Sequence, residues 1–268
     1  MKSESLSQAR MQSSTPTVLD KYFGHLHETL TKNDLLNKPG QIFNCDESGF
    51  SLNPKPRYIA TRKGQPHTYS VTSGSKTQIT VMACICAAGY SMPPMVIFDR
   101  KGLNPDWKEG EVPGTSYGQN ESAWIDSDMF DGWFNQLFLK FIPAARPILL
   151  LLDGHSSHYN PAVIKQAASN YIIIFCLPPN TTHLMQPLDR VCFGAVKQFW
   201  NEECHSYMQQ HPGKVITRGQ FCQVFRLAWM RGMKMKNILA SFKTTGIQPF
   251  NKLAIALPGE CNTTSDEK

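Results

Sequence analysis

The chain has 268 residues, of which 41% are hydrophobic and 18% charged, with a net charge of +6. That length suits one large domain or one domain with appendages, and the apolar content supports a sizeable core. No run reaches the roughly 18 apolar residues needed to cross a bilayer, and the Ser-rich start lacks the apolar centre of a secretory signal, so the chain reads as intracellular with no membrane partner.

The charge is unevenly placed. Asp46 to Asp189 carries eleven basic and twelve acidic residues, whereas Arg190 to Lys252 carries ten basic and two acidic. A basic stretch is by default a solvated helical face. An excess this lopsided, following a segment with carboxylates at element ends, favours a polyanion. The eight cysteines sit in apolar or helical surroundings without a repeated spacing, which reads as buried, reduced thiols rather than a zinc or disulfide framework.

Met1 to Ser14 reads as a disordered tail. Thr15 to Leu36 has helical spacing, with Val18, Tyr22, Leu26 and Leu30 about four apart. Ile42 to Cys45 predicts a short buried strand closing on Asp46 and Glu47. Tyr58 to Thr61, Thr77 to Ala87 and Pro94 to Phe98 predict further strands, punctuated by Gly and Pro as in an antiparallel meander. Lys101 to Asn120 is loop-like. Asp126 or Ser127 can cap a helix whose face is Phe130, Trp133, Phe134, Leu137, Phe138 and Phe141, an aromatic stripe that belongs to a core.

Ile148 to Leu152 is too short for a membrane span and suits a strand buried on both faces. It ends on Asp153, and open α/β sheets hold their ligands at the carboxyl ends of their strands. Asn160-Pro161 caps and starts a helix reaching about Ser169, and Tyr171 to Leu177 is another buried strand. Thr181 to Pro187 reads as a polar loop. A helix begins near Leu188 or Asp189, Thr217 caps the next, and Met235 to Phe242 is a shorter third. The tail from Asn262 reads as disordered. There is no internal repeat.

Three aspartates, Asp46, Asp153 and Asp189, thus fall at predicted element ends. Each alone has an ordinary structural explanation as a turn, strand-end or helix-start residue. If they converge, two carboxylates about 4 Å apart repel by roughly 4 kcal/mol at an effective dielectric near 20. One would then be driven to protonate. A divalent cation removes the conflict, and carboxylate oxygens with water suit Mg²⁺ or Mn²⁺. Two such ions can clamp the attacking and leaving oxygens of a phosphodiester displacement. Ser156 and Ser157 lie in no nucleophile-elbow pattern, which disfavours a Ser/His/Asp hydrolase.

Three blocks carry a specific resemblance. They are Asn44-Cys45-Asp46-Glu47-Ser48-Gly49-Phe50, Leu152-Asp153-Gly154-His155-Ser156-Ser157-His158, and Leu177 to Asp189, with Phe242 to Phe250 as a closing motif. Together they resemble the signature blocks of pogo/Tigger/jerky-type transposases, members of the DDE endonuclease superfamily with the centromere-protein-B-like and mariner relatives. The resemblance implies an α/β fold, ribonuclease H-like, with a mixed sheet flanked by helices and a basic helical C-terminal extension. It implies a triad of Asp46, Asp153 and Asp189 binding Mg²⁺ or Mn²⁺, DNA as partner, a nuclear location, and it admits a homodimer. Many superfamily members have Glu third; this branch has Asp, as here. Glu47, facing the opposite way on a strand, is expected to be structural. His155, His158 and His183 mark the family without assigned tasks.

The expected division is residues 1–40 as tail and helix, 41–210 as the catalytic domain, 211–255 as the basic extension, and 256–268 as a disordered tail. Full transposases of this branch resemble proteins with paired N-terminal helix-turn-helix modules, for which the residues before Asp46 are too few. The reading is therefore a transposase-derived, metal-dependent endonuclease or strand-transfer domain without its DNA-recognition module. The alternative is a domesticated nuclear DNA-binding or chromatin protein with little or no nuclease activity.

Overall fold

The computed structural model describes residues 15–53, 77–99, 102–121, 124–154 and 160–255. Helix α1 (Pro16–Lys32) starts at Thr15, whose hydroxyl accepts from the Val18 N–H at 3.4 Å, and proline occupies its first position. It buries Leu19, Tyr22, Phe23, Leu26 and Leu30, one broad apolar face at helical spacing.

Strand β1 (Ile42–Ser51) is longer than its apolar residues suggest. It does not stop at Asp46, because β2 (Gln78–Cys86) pairs with it antiparallel from Phe43↔Cys86 to Ser51↔Gln78. A partner strand distant in sequence, pairing Ser48↔Val81 through Ser51↔Gln78, keeps the backbone extended beyond the carboxylates. Strands β3 (Tyr90–Ser91) and β4 (Met95–Phe98) continue the antiparallel pairing on β2. The stretch expected to be only loop also contains β5 (Ser116–Gln119), parallel to β4. At Gly118 a Cβ would stand 2.7 Å from Met129 Sδ and 2.8 Å from Met95 Cε, so both methionine ends would have to shift to admit one. The strand expected at Tyr58 to Thr61 lies outside the described residues.

Asp126 caps α2 (Ser127–Trp133), accepting from the Met129 N–H at 2.9 Å. The helix runs on through a π-helical turn, Phe134–Phe138. Its aromatic stripe is core, as predicted: Phe130, Trp133, Phe134 and Phe138 are at most 1% exposed, and their rings stack at 5.3 to 5.4 Å. Phe141, at the helix end, is the exception and is exposed.

Strand β6 (Ile148–Leu152) has the predicted bounds, with all five side chains buried. It pairs parallel with β1 and with β7 (Ile172–Cys176), and α3 (Pro161–Ser169) makes the crossover between β6 and β7. A four-residue helix, α4 (Thr182–Met185), occupies the expected polar loop. A second π-helical turn, Leu188–Cys192, then leads into α5 (Phe193–Gln210). Helix α6 (Arg218–Gly232) begins with a reciprocal Thr217–Gln220 capping box, and α7 (Met235–Thr244) follows. Gly232 lets α6 close on α5, since a Cβ there would meet the Val196 backbone at 2.8 Å.

The seven described strands form one mixed sheet in the order β5-β4-β2-β1-β6-β7, with β3 attached to β2. Alternate residues feed two cores. Ile42, Phe50, Leu149 and Leu151 join residues of α1, α5, α6 and α7 on one face. Phe43, Cys45, Leu150 and Leu152 join residues of α2 and α3 on the other. The seven described cysteines are free thiols, and all but half-buried Cys176 are buried. No described helix is long and apolar enough to cross a membrane.

Candidate active site

The site forms where β6 ends and β1 does not. The parallel pairing of these strands has its last rung at Asn44↔Leu151. Two residues further along each chain stand Asp46 and Asp153. Strand alternation puts Asp46 on the side of Ile42 and Phe50, and Asp153 in step with Leu149 and Leu151, which belong to the same core. Asp189 sits in the π-helical turn ahead of α5, directly after Leu188 of that core. Such turns are rare and recur at functional sites.

Two buried amides tie these three segments together. Asn44 and Gln186 are both fully buried. The Asn44 amide nitrogen donates to the Leu151 carbonyl at 3.1 Å and to the Gln186 side-chain oxygen. The Asn44 oxygen accepts from the Leu188 N–H at 3.2 Å, and the Gln186 nitrogen donates to the Cys45 carbonyl at 3.4 Å. Each aspartate is thus one or two residues from a clasped group. The two amides lie inside the signature blocks, yet sequence reasoning gave them no task. The available signal was an amide between two apolar residues, Phe43 and Cys45, on a buried strand, where burial demands hydrogen-bond partners.

The electrostatics are those of an acidic cluster at a sheet edge. Asp46 is buried, and its carboxyl is pushed well above the usual carboxylate range, first by burial and then by the charges of Asp189, Glu47 and Asp153. A hydrogen bond from the Glu47 backbone N–H acts the other way. The Cys45 thiol is pushed up as well, first by burial and then by Cys84, Glu47, Asp46 and Asp153. Asp153 is half-buried and Asp189 exposed.

A cavity of about 460 Å³ is lined by Asp46, Glu47, Trp124, Ile125 and Asp153. Glu47 faces the Phe43 and Cys45 side of β1, as alternation requires, and still lines the cavity. With β6 ended at Leu152, the edge of β1 is uncovered at residues 46 and 47, so both faces of the strand reach the same space. His183 lies on α4, and its carbonyl accepts from Arg190 at 3.2 Å. His155 and His158 lie outside the described residues.

The donor chemistry fits a hard divalent cation, because among the described residues the charges acting on Asp46 are those of the carboxylates Asp189, Glu47 and Asp153. Among the described residues, however, no three His, Cys, Asp or Glu side chains are gathered closely enough to form a ready ligand shell.

The family model described as DDE superfamily endonuclease matches residues 76–242. The chain belongs to that family. Asp153 and Asp189 lie within the matched span and Asp46 precedes it. Among curated proteins, the chain is 26% identical over 216 residues to "MFS-type transporter clz9" of Cochliobolus lunatus, covering 78% of this chain and 23% of that protein. It is 27% identical over 164 residues to Jerky protein of Mus musculus, covering 57% of this chain and 28% of that one. Tigger transposable element-derived protein 4 of Mus musculus is 22% identical over 219 residues, with 78% and 40% covered. The chain therefore spans between about a quarter and two fifths of the length of these relatives.

Among solved structures, the mariner Mos1 paired end complex with Mg aligns at a TM-score of 0.51 and 10% identity, covering 93% of this chain and 67% of that one. The corresponding complex with Mn aligns at 0.51 and 11%, covering 91% and 63%. This is a likeness of fold. The mixed sheet flanked by helices is the ribonuclease H-like arrangement that the sequence implied.

Proposed function

We propose that this chain is a metal-dependent DNA endonuclease or strand-transfer domain, with Asp46, Asp153 and Asp189 holding Mg²⁺ or Mn²⁺. The observation that carries the reading is the Asp46 carboxyl, buried and pushed upward by Asp189, Glu47 and Asp153. A buried carboxylate among like charges is a costly arrangement that a divalent cation relieves. Bound there, such an ion supplies electrostatic stabilisation to a phosphodiester under attack by water or a 3′-hydroxyl. Asp46 and Asp153 would bind from the sheet and Asp189 from the helix start. The Asn44–Gln186 clasp would hold the three segments at fixed separation.

DNA enters as partner through the same reading, which gains support from the Mos1 structures named as paired end complexes with Mg or Mn. Residues 41–210 would form the catalytic unit. The basic residues from Arg190 to Lys252 would supply salt-sensitive contacts to phosphates, mostly through the 211–255 extension, apart from Arg218 and Arg231, which pair with Asp99 and with Glu202 and Glu203. A nuclear location and a homodimer belong to the proposal as well.

The test is nicking of supercoiled plasmid in Mg²⁺ or Mn²⁺. Asp153→Asn should lower the rate by about 100-fold or more, in the range seen when one preorganised electrostatic group is removed. Equal nicking by wild type and Asp153→Asn would overturn the reading. A second reading, a nuclear DNA-binding or chromatin protein without nuclease activity, is favoured by the exposure of Asp189 and by the lack of a ready ligand shell among the described residues. DNA binding that is unaffected by chelator, with no nicking under any divalent cation, would select it.

A further inference from the structure

The cavity beside the carboxylates has an aromatic wall. Of the five tryptophans, Trp133, Trp200 and Trp229 are buried, and Trp107 packs against the core. Trp124 is 53% exposed and lines the cavity of about 460 Å³ with Asp46, Glu47, Ile125 and Asp153. A single exposed aromatic on a surface is ordinary. This one lines an acidic cavity, and its carbonyl and the residues that follow it are tied down. Asn120 Nδ2 donates to the Trp124 carbonyl at 2.7 Å and to Asp126 Oδ2 at 3.2 Å. Asp126 in turn caps α2, and Ile125 is buried in the core beneath that helix. The backbone that carries the indole is therefore anchored at its carbonyl by Asn120 and next to it by buried Ile125.

We propose that Trp124 is a stacking platform for an unpaired nucleobase next to a phosphodiester held at Asp46 and Asp153. The inference rests on the nucleic-acid reading above. An indole offers a π-face that accepts any base. Bases in an intact duplex have both faces covered, so the ligand is a single-stranded or extruded nucleotide. The cavity volume lies within the range of roughly 300–1,000 Å³ typical of small-ligand sites, which admits one nucleotide unit. The division of labour is chemical: the carboxylates engage the phosphate through a cation, while the indole engages the base without one.

Single-stranded oligonucleotide carrying 2-aminopurine, and the same strand annealed to its complement, separate the two contributions. Both are titrated in Ca²⁺ and in chelator, with Kd from anisotropy and stacking from 2-aminopurine quenching. Trp124→Ala should weaken binding of the single strand by about 5- to 100-fold, the range expected for loss of one base–aromatic stack. It should also remove the quench and leave duplex binding unchanged. Trp124→Phe should retain most of both signals. Trp124→Ala binding the single strand like wild type, or losing single strand and duplex equally, would overturn the proposal. Asp153→Asn should reduce the gain in affinity on adding Ca²⁺, while the quench at saturation still depends on Trp124. If plasmid nicking proves indifferent to Asp153 while the quench still depends on Trp124, the phosphodiester reading falls and the stacking site stands.

Discussion

The two halves of β1 have the same backbone and opposite surroundings. From Ile42 to Asn44 the strand is flanked by β6 and β2, and every side chain is buried. From Asp46 to Ser51 it is flanked by β2 on one side, with β6 already ended. The first half is closed and holds itself with apolar packing and a clasp of buried amides. The second half opens an edge, and there the acidic residues stand. The candidate site is a product of unequal strand length: a rigid strand carries Asp46 past the end of its neighbour, into a space that other elements line.

The closed half is broken most severely through β6. Leu150→Ala removes a fully buried side chain and should cost about 2–5 kcal/mol. At roughly 2–4 °C per kcal/mol for a chain of this size, thermal melting should fall by about 4–20 °C. Urea denaturation should show the same loss at an unchanged m value. A shift under about 1 °C would mean that β6 does not hold the closed half together.

Asn44→Ala should come next. It leaves the Leu188 N–H, the Leu151 carbonyl and the Gln186 amide with a missing partner, at about 1–3 kcal/mol for a buried polar group so deprived. If the clasp positions the aspartates, metal-dependent nicking should fall further than stability does, and the Mg²⁺ requirement should rise. Nicking and Mg²⁺ dependence that are unchanged at a temperature well below melting would make Asn44 merely structural.

The smallest effect, and the sharpest contrast between the halves, concerns pH. The folded Asp46 carboxyl is raised by burial and by three carboxylates. The folded state therefore holds its proton more tightly than the unfolded state, whose aspartates titrate near 3.9. Stability contributed by the protonated form is fully present below that value and is lost as pH rises through the folded value. In chelator, wild type should melt progressively lower than Asp46→Asn from about pH 4 upward. Mg²⁺ or Mn²⁺ should raise the melting temperature of wild type near neutral pH and leave Asp46→Asn less affected. Parallel pH profiles for the two proteins in chelator would show that Asp46 feels no such field.

Local signals were legible where the physics was local. The five-residue β6, the cap and proline that start α3, the Thr217 cap and the buried aromatic stripe of α2 all depend on neighbours within a turn or two. The signals failed where the partner was distant. β1 was expected to close on Asp46 because its apolar run ends there, but pairing with β2 overrides that ending. β5 has no apolar alternation and exists because β4 supplies its hydrogen bonds. The π-helical turn around Asp189 and the fold-back of Glu47 onto the shared cavity leave no mark in spacing.

The sequence by itself determined the family, through long blocks in a set order, and it determined which aspartates to compare. It also determined the period of each amphipathic helix, because side-chain periodicity follows from backbone geometry alone. Only the tertiary structure decided that β1 outruns β6, that Asn44 and Gln186 join the three segments bearing aspartates, and that Trp124 stands over the same cavity as Asp46 and Asp153. Those facts rest on contacts between residues up to 144 positions apart. No local pattern encodes the distance between two segments; it appears only when both are packed on one sheet.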